Sequence, residues 1–206
     1  MMKKSLFIVV DGIDGSGKSG IVKMLHNLFS SKDCRILATR EPTSGFYGRK
    51  IREMLRDDKE TDSNKEKILD LFIKDREEHL KNTVLPFLDS SNDEMRVVLC
   101  DRYYYSTIAF QHAQGFGIKM LVEKNKNFRE PDIAFILDVD PETALKRINN
   151  DLRKFEKFEK IEFMGKVRRN FLELKNYLSD NIKFIDGNKN IDEVFNEIKN
   201  EIEELL

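Results

Sequence analysis

The sequence predicts an α/β fold with three layers, in which a five-stranded parallel sheet lies between helices. Five short apolar runs are separated by segments in which apolar residues recur at helical spacing, and this alternation is typical of βαβ units. A glycine-rich loop joins the first run to the first helical segment, which points a helix N-terminus at a bound anion. The predicted strands are residues 6–10, 35–39, 97–100, 134–139 and 182–185.

The composition limits the class of protein. The chain has 206 residues, the length of one domain with a sizeable core, and we expect a single domain over residues 1–206. Its 36 basic and 37 acidic residues give a net charge of −1, which excludes a global attraction to nucleic acid or to an anionic membrane. We find no signal-peptide core and no apolar stretch of membrane-spanning length, and two cysteines are too few for a disulfide framework. We therefore expect a cytoplasmic protein.

The first strand leads into a phosphate-binding motif. Residues 12–19 read GIDGSGKS and match the pattern G-x-x-x-x-G-K-[ST]. The glycines allow backbone N–H groups to line an anion site, Lys18 can reach the outer phosphates of a nucleotide, and the Ser19 hydroxyl can ligate Mg²⁺. The preceding run is continuously apolar, as in a strand buried on both faces. The context therefore predicts a fold of the P-loop NTPase type.

Two polar segments follow the second and third predicted strands. Arg40 comes after the second strand, and Asp101 and Arg102 come after the third. In open α/β sheets ligands bind beyond the carboxyl ends of the strands, so we expect these side chains to share a crevice with the loop. An aspartate there can hold the waters of Mg²⁺, and arginines can grip phosphate oxygens.

A helical segment between these two strands carries Phe72 and Arg76, which are four residues apart and hence on one face. The ring can stack on a base and the guanidinium can bond the edge of that base, although the spacing of Phe72 fits a core residue as well. With the loop and the arginines, these residues predict a site for two anionic ligands.

The reaction class follows from the chemistry of the acceptor. We find no convincing general base for a hydroxyl acceptor, and a phosphate acceptor needs none because its second pKa is roughly 6. Transfer between two phosphates requires in-line positioning and charge neutralisation, which Lys18, the arginines and Mg²⁺ supply. The pattern therefore indicates phosphoryl transfer between nucleotides.

The C-terminal third supplies the remaining elements. Asp140 and Pro141 predict the beginning of one helix, and Asn190 predicts the beginning of the last one. The charged run at about residues 147–160 has the composition of a solvated helix face, and in a phosphate-binding protein it is also the natural place for a short lid. The last helix carries an apolar stripe that we expect to be core: Ile191, Val194, Phe195, Ile198, Ile202 and Leu205.

The order and spacing of these motifs resemble those of the thymidylate kinases, the ATP-dependent dTMP kinases, over nearly the whole chain. The motifs are DGIDGSGKS at 11–19, TREP at 39–42, LF and DR at 71–76, DRY at 101–103 with Ser106 and Gln111, PD at 131–132, LDVDP at 137–141, and residues 157–168. The resemblance implies Mg²⁺-dependent transfer from ATP to dTMP, giving ADP and dTDP for dTTP biosynthesis, in a homodimer.

The resemblance also implies roles for individual residues. ATP would be bound by Gly12, Ile13, Asp14, Gly15, Ser16, Gly17, Lys18 and Ser19. The dTMP would be bound by Asp14, Arg40, Phe72, Arg76, Arg102, Thr107 and Gln111. Catalytic roles would fall to Lys18, Arg102, Asp101, Arg153 and Asp14, and Mg²⁺ would lie near Ser19 and Asp101, partly through water.

The lid arginine is inferred from the loop. Family members without an arginine next to the loop aspartate place one in the lid, and that loop position is Gly15 here. Arg153 is therefore the predicted lid arginine, with Lys154 second. The chain departs from the usual family pattern at Gly20, where a threonine is usual, and at Asp11, where a glutamate is usual.

Other functions remain open at this point. The chain could phosphorylate another nucleotide such as dUMP. It could also phosphorylate a nucleoside, with Asp101 as the base. A nucleotide-binding regulator without turnover is a third possibility, and Gly20 is one of its few supports.

Overall fold

The computed structural model describes residues 5–32, 34–56, 62–89, 94–148 and 154–205. Within these ranges the chain forms a parallel five-stranded sheet flanked by helices, as predicted. The strand order is β2-β3-β1-β4-β5. The strands are β1 (Ser5–Gly12), β2 (Arg35–Arg40), β3 (Arg96–Asp101), β4 (Ile133–Asp138) and β5 (Ile182–Asp186).

The helices cover both faces of the sheet. A π-helical turn at Leu80–Val84 joins α3 to α4, and a 3₁₀ turn at Leu174–Asn176 ends α8. No helix in the described part of the chain is long and apolar enough to cross a membrane. The helices are α1 (Lys18–Ser30), α2 (Phe46–Arg56), α3 (Asp62–His79), α4 (Leu85–Leu88), α5 (Tyr104–Ala113), α6 (Ile118–Asn125), α7 (Pro141–Arg147), α8 (Lys154–Glu173) and α9 (Ile191–Glu203).

The central strand explains the continuous apolar run in the sequence. Side chains alternate between the two faces of a strand, and here each face has its own core. Phe7 and Val9 join one buried cluster, whereas Leu6, Ile8 and Val10 join the other. Both faces of β1 are therefore buried. The strand is central in the sheet, and the loop begins at its carboxyl end.

The predicted helix beginnings are confirmed. Pro141 is the first residue of α7 and Asp140 is its N-cap residue, although the Asp140 side chain makes no capping hydrogen bond. At α9 the side chain of Asn190 accepts a hydrogen bond from the backbone N–H of Glu193 at 2.9 Å, and the Glu193 carboxylate accepts one from the Asn190 N–H at 3.3 Å. This is a capping box, which satisfies two N–H groups of the first turn.

The expected core stripe of α9 is correct except at its first residue. Val194, Ile198 and Ile202 are buried against α1 and the sheet. Ile191 instead has 47% of its surface exposed. It lies at the first position of the helix, where its side chain lies next to Gly20 of α1 and lines a surface cleft.

Candidate functional site

The ends of three neighbouring strands lie level with one another. Arg40 pairs in register with Asp101, and Asp101 pairs with Val10 of β1. The side chains that follow β2 and β3 therefore reach the same edge as the loop between β1 and α1. Lys18, Ser19, Arg40, Asp101 and Arg102 line one cleft of about 720 Å³, here called the phosphate cleft, as the sequence predicted.

All three glycines of the loop have a positive φ, and Gly15 and Gly17 show most clearly why glycine is required. Gly15 has a φ of 76°, and a Cβ there would lie 2.3 Å from the backbone oxygen of Ala144 in α7. Gly17 has a φ of 101° and opens the N-terminus of α1. Both conformations are left-handed and disfavour any side chain. The close approach of α7 explains why no arginine stands at position 15 in this chain.

Lys18 is held beneath the loop. Its Nζ donates hydrogen bonds to the backbone oxygens of Gly12 and Ile13, at 3.1 and 2.7 Å, and to Ser16 Oγ at 3.3 Å. Burial, together with the nearby Arg102 charge, lowers the pKa of this ammonium to about 8. Each of these acceptors is a neutral oxygen, so an anion in the cleft would be the partner that best matches the charge.

Ser19 and Asp101 are in direct contact. The Ser19 hydroxyl donates to Asp101 Oδ2 at 2.6 Å. Hard oxygen ligands of this kind suit Mg²⁺, which keeps several waters and takes few protein ligands. No group of three or more His, Cys, Asp or Glu side chains that could hold a metal is found in the described ranges, so an ion here would depend on phosphate oxygens as well.

Arg102 connects the loop to its neighbours. Its φ of 73° is left-handed, a conformation that costs a non-glycine residue free energy and is found at functional sites. Its guanidinium donates to Ser106 Oγ at 2.7 Å, to the Gly12 carbonyl at 3.2 Å, and to the Asp14 carboxylate. The Phe110 ring lies 5.4 Å from the guanidinium carbon.

A second cleft adjoins the first and is here called the aromatic cleft. It has a volume of about 670 Å³, and Asp14 and Arg102 line both clefts. From α3 come Phe72 and Arg76, and the remaining predicted residues, Thr107 and Gln111, come from α5. The structure therefore brings together the predicted base-reading residues. Phe72 is partly exposed and belongs to neither buried cluster of the described residues, which favours the stacking interpretation over the core one.

Arg76 is buried, with only 1% of its surface exposed. Its Nε and Nη2 contact Glu41 Oε2 at 2.9 and 2.8 Å, Nη2 also donates to Thr107 Oγ1 at 2.9 Å, and Nη1 donates to Asn125 Oδ1 at 2.6 Å. Glu41 in turn contacts His79 Nδ1 at 3.0 Å through its other oxygen. Sequence reasoning assigned no role to Glu41, Asn125 or His79. The only signal was that Glu41 belongs to the TREP motif.

Asp11 is a further residue to which the sequence assigned no role. It is fully buried, and burial raises the pKa of its carboxyl group while the Arg102 charge opposes that rise. Its oxygens accept hydrogen bonds from the backbone N–H groups of Tyr103 and Ser106, at 3.1 and 3.0 Å, and from Ser106 Oγ at 2.6 Å. Asp11 therefore caps the N-terminus of α5 from the end of β1.

A third cleft, here called the α9 cleft, has a volume of about 590 Å³. It lies beside the loop, because Gly17 and Arg147 line both it and the phosphate cleft. Its other walls include Ile21, Gly187 and Ile191. Arg147, at the end of α7, donates to the Gly187 carbonyl at 2.9 Å. The predicted lid arginine, Arg153, lies outside the described residues.

Comparison with known proteins agrees with this geometry. A family model described as "Thymidylate kinase" matches residues 10–198. A probable thymidylate kinase of Pyrococcus horikoshii is 35% identical over 200 residues, which cover 95% of this chain and 94% of the relative. Thymidylate kinases of Desulfotalea psychrophila and Leptospira interrogans are 37% and 38% identical, and each match covers at least 95% of this chain and 92% of the relative. The chain therefore belongs to the thymidylate kinase family.

Proposed function

We propose that the protein transfers the terminal phosphoryl group of ATP to dTMP, giving ADP and dTDP. The observation that carries this proposal is the junction of two clefts, one lined by the phosphate loop and one by an aromatic base platform. Asp14 and Arg102 line both of them. Two nucleotides bound in these clefts would meet phosphate to phosphate at these side chains.

The loop accounts for the donor. Its backbone N–H groups and the N-terminus of α1 would hold the β- and γ-phosphates, with Lys18 exchanging its carbonyl partners for phosphate oxygens. Since the acceptor cleft lies on one side of the loop, the nucleoside of ATP would extend to the other side, into the α9 cleft. Arg147 lines both that cleft and the phosphate cleft, so it would lie beside the phosphates of ATP.

The aromatic cleft accounts for the acceptor. Arg40 and Arg102 would grip the dTMP phosphate, and Phe72 would stack on thymine. The contacts of Arg76 with described residues leave one N–H of Nη1 for the base edge. Thr107 and Gln111 would complete the base pocket, and the exposed Asp14 carboxylate would approach the sugar hydroxyl.

Mg²⁺ fits the oxygen pair that Ser19 and Asp101 provide. When bound, the ion would neutralise charge on the transferring phosphoryl group. The Ser19 hydroxyl would ligate it directly and Asp101 would hold its waters, in keeping with their 2.6 Å contact.

No side chain would then need to accept or donate a proton during the transfer. The acceptor phosphate is already ionised near neutral pH. Lys18, Arg40 and Arg102 line the cleft where negative charge accumulates, and charge stabilisation by fixed donors is the largest contribution in such reactions. The arrangement of these groups around one point would hold the two phosphates in line.

Further proposals rest on the family resemblance. A lid at about residues 147–160 would close over the phosphates and exclude water, with Arg153 contributing charge. We propose a single functional domain, a homodimer and a cytoplasmic location. The mass of the protein in solution, measured by light scattering, tests the dimer.

The test of function is ADP release from ATP in the presence and absence of Mg²⁺, with dTMP, dUMP, dCMP, dGMP, AMP and thymidine as acceptors. We expect Mg²⁺-dependent turnover with dTMP above all others. Turnover with thymidine would support a nucleoside kinase, and preference for dUMP would overturn the assignment of the base pocket. ATP binding without turnover on any acceptor would support the regulator.

A further inference from the structure

Any side chain at position 20 would occupy the space that the Ile191 side chain fills. Gly20 is the third residue of α1, and a Cβ built on it would lie 2.8 Å from Ile191 Cδ1. Carbon atoms do not approach that closely, since optimal separation is about 3.5–4.0 Å. The methyl end of Ile191 therefore lies where a side chain at position 20 would begin. The absence of that side chain is one of the chain's two departures from the usual family pattern.

Ile191 is also far more exposed than the other apolar residues on its side of the helix. It has 47% of its surface exposed, whereas Val194, Ile198 and Ile202 on the same stripe are buried. Its side chain lines the α9 cleft with Ile21 and Val194, next to Gly17 of the loop. An exposed apolar side chain in the wall of a cleft gains free energy when an apolar or aromatic surface covers it.

We propose that Ile191 is the apolar contact surface for the base of the donor nucleotide, and that Gly20 is the residue that gives it room. The proposal rests on the donor placement given above, in which the nucleoside of ATP extends from the loop into the α9 cleft. Ile191 would touch the ligand and position its base. Gly20 would act only through Ile191.

The chemistry of this contact sets its selectivity. An isoleucine side chain has no donor or acceptor, so it rewards a flat ring of the right size and does not read the polar edge of the base. We expect purine nucleoside triphosphates as a class to benefit from it. A phosphate chain without a base would gain nothing.

The first experiment replaces Ile191 by alanine and measures binding by calorimetry, without dTMP, for ATP, GTP and inorganic tripolyphosphate. We expect ATP and GTP to bind about 3- to 10-fold more weakly, as suits the loss of one partly covered isoleucine, while the Kd of tripolyphosphate stays unchanged. In turnover assays KM for ATP should rise, with kcat and KM for dTMP within about twofold of the wild type. The helix should keep its stability, because alanine is the better helix former.

The second experiment tests the role of Gly20. In the Gly20→Ala variant the new Cβ displaces the Ile191 side chain, and we expect ATP binding to weaken several-fold. The same change should raise Tm by about 2–3 °C, because alanine is favoured over glycine in a helix. The two readouts therefore move in opposite directions. In the Ile191→Ala background, Gly20→Ala should have no further effect on ATP affinity.

Gly165→Ala is the matched control. Gly165 lies within α8, and a Cβ there would meet nothing closer than Arg169 Nη1 at 3.7 Å. The Tm of this variant should rise by a similar amount, and its ATP affinity should not change.

The outcomes separate this inference from the proposed function. If Ile191→Ala binds ATP as tightly as the wild type, or weakens tripolyphosphate equally, the inference is wrong. It is also wrong if the effect of Gly20→Ala persists undiminished in the Ile191→Ala background. Failure of the proposed function would show instead as absence of dTMP turnover in the unmodified protein, whatever these binding constants are.

Discussion

The phosphate loop and the aromatic cleft are built in different ways. The loop consists of consecutive residues, and its shape comes from backbone conformations that glycine permits, such as those of Gly15 and Gly17. The aromatic cleft instead consists of side chains from several elements, and its central residue, Arg76, is held by Glu41, Thr107 and Asn125. The loop should therefore fail only when its own residues change. The cleft should fail when any member of a dispersed network changes.

The largest expected effect is on the loop. Lys18→Ala removes the only loop side chain that carries positive charge. We expect kcat to fall by about 10³-fold, since loss of one fixed charge-stabilising donor costs about 10²–10³. Binding of dTMP should be retained. Lys23→Ala, an exposed lysine of the same helix, is the control and should leave kcat unchanged. Full activity in Lys18→Ala would contradict the loop's assigned role.

The second largest effect is expected when a partner of Arg76 in the aromatic cleft is removed. Glu41→Ala leaves the Arg76 charge buried without its carboxylate, which costs about 3–5 kcal/mol in comparable cases. We expect urea unfolding to show a loss of about 3 kcal/mol or more and dTMP binding to weaken strongly, while ATP affinity is retained in the folded fraction.

Glu78→Ala provides the comparison for Glu41→Ala, because Glu78 is an exposed glutamate on α3, the helix that carries Arg76. It should unfold like the wild type. If Glu41→Ala kept wild-type dTMP affinity, Arg76 would not depend on this network, and the contrast between loop and cleft would be lost.

The third effect is a pH dependence that belongs to the loop alone. Burial lowers the pKa of Lys18 to about 8 in the folded protein, against 10.5 for an ordinary lysine. The unfolded chain therefore binds more protons between pH 8 and 10.5, and stability rises with pH across this window. We expect the difference in unfolding free energy between wild type and Lys18→Met to grow by up to about 3 kcal/mol from pH 7.5 to 10.5. A difference that stays flat with pH would show that Lys18 titrates normally.

The smallest effect concerns the base platform. Phe72→Ala should raise KM for dTMP about 10-fold, because base–aromatic stacking contributes about 1–3 kcal/mol. KM for ATP and the unfolding free energy should change little, since Phe72 lies in neither buried cluster of the described residues. Phe72→Tyr keeps the ring and should restore KM for dTMP. A large loss of stability in Phe72→Ala would favour the core interpretation instead.

These two regions also differ in how far the sequence predicted them. The strands and the loop were predicted well because their signals are local: a continuous apolar run, and glycines at fixed spacing before Lys18. The network around Arg76 was not, because its partners Glu41 and Asn125 lie 35 and 49 residues away along the chain. No local pattern reports which distant carboxylate will meet a given guanidinium.

Two other misses have the same physical origin. Ile191 fits the apolar spacing of α9, but helical periodicity does not tell whether the first turn lies over the core or over a cleft. Asp11 directly precedes the loop, and no local pattern in the sequence predicts its role. Its partners Tyr103 and Ser106, at the beginning of α5, lie 92 and 95 residues further along the chain.

Asp11 has a consequence for the chemistry as a whole. One carboxylate joins the end of β1, which leads into the proposed donor loop, to the first turn of α5, which forms a wall of the proposed acceptor site. In the proposed arrangement the separation between the two substrate sites would therefore be set when the chain folds, before either substrate binds. The work of bringing two repelling phosphates close together would then be done once, during folding, and would not be repeated in each catalytic cycle.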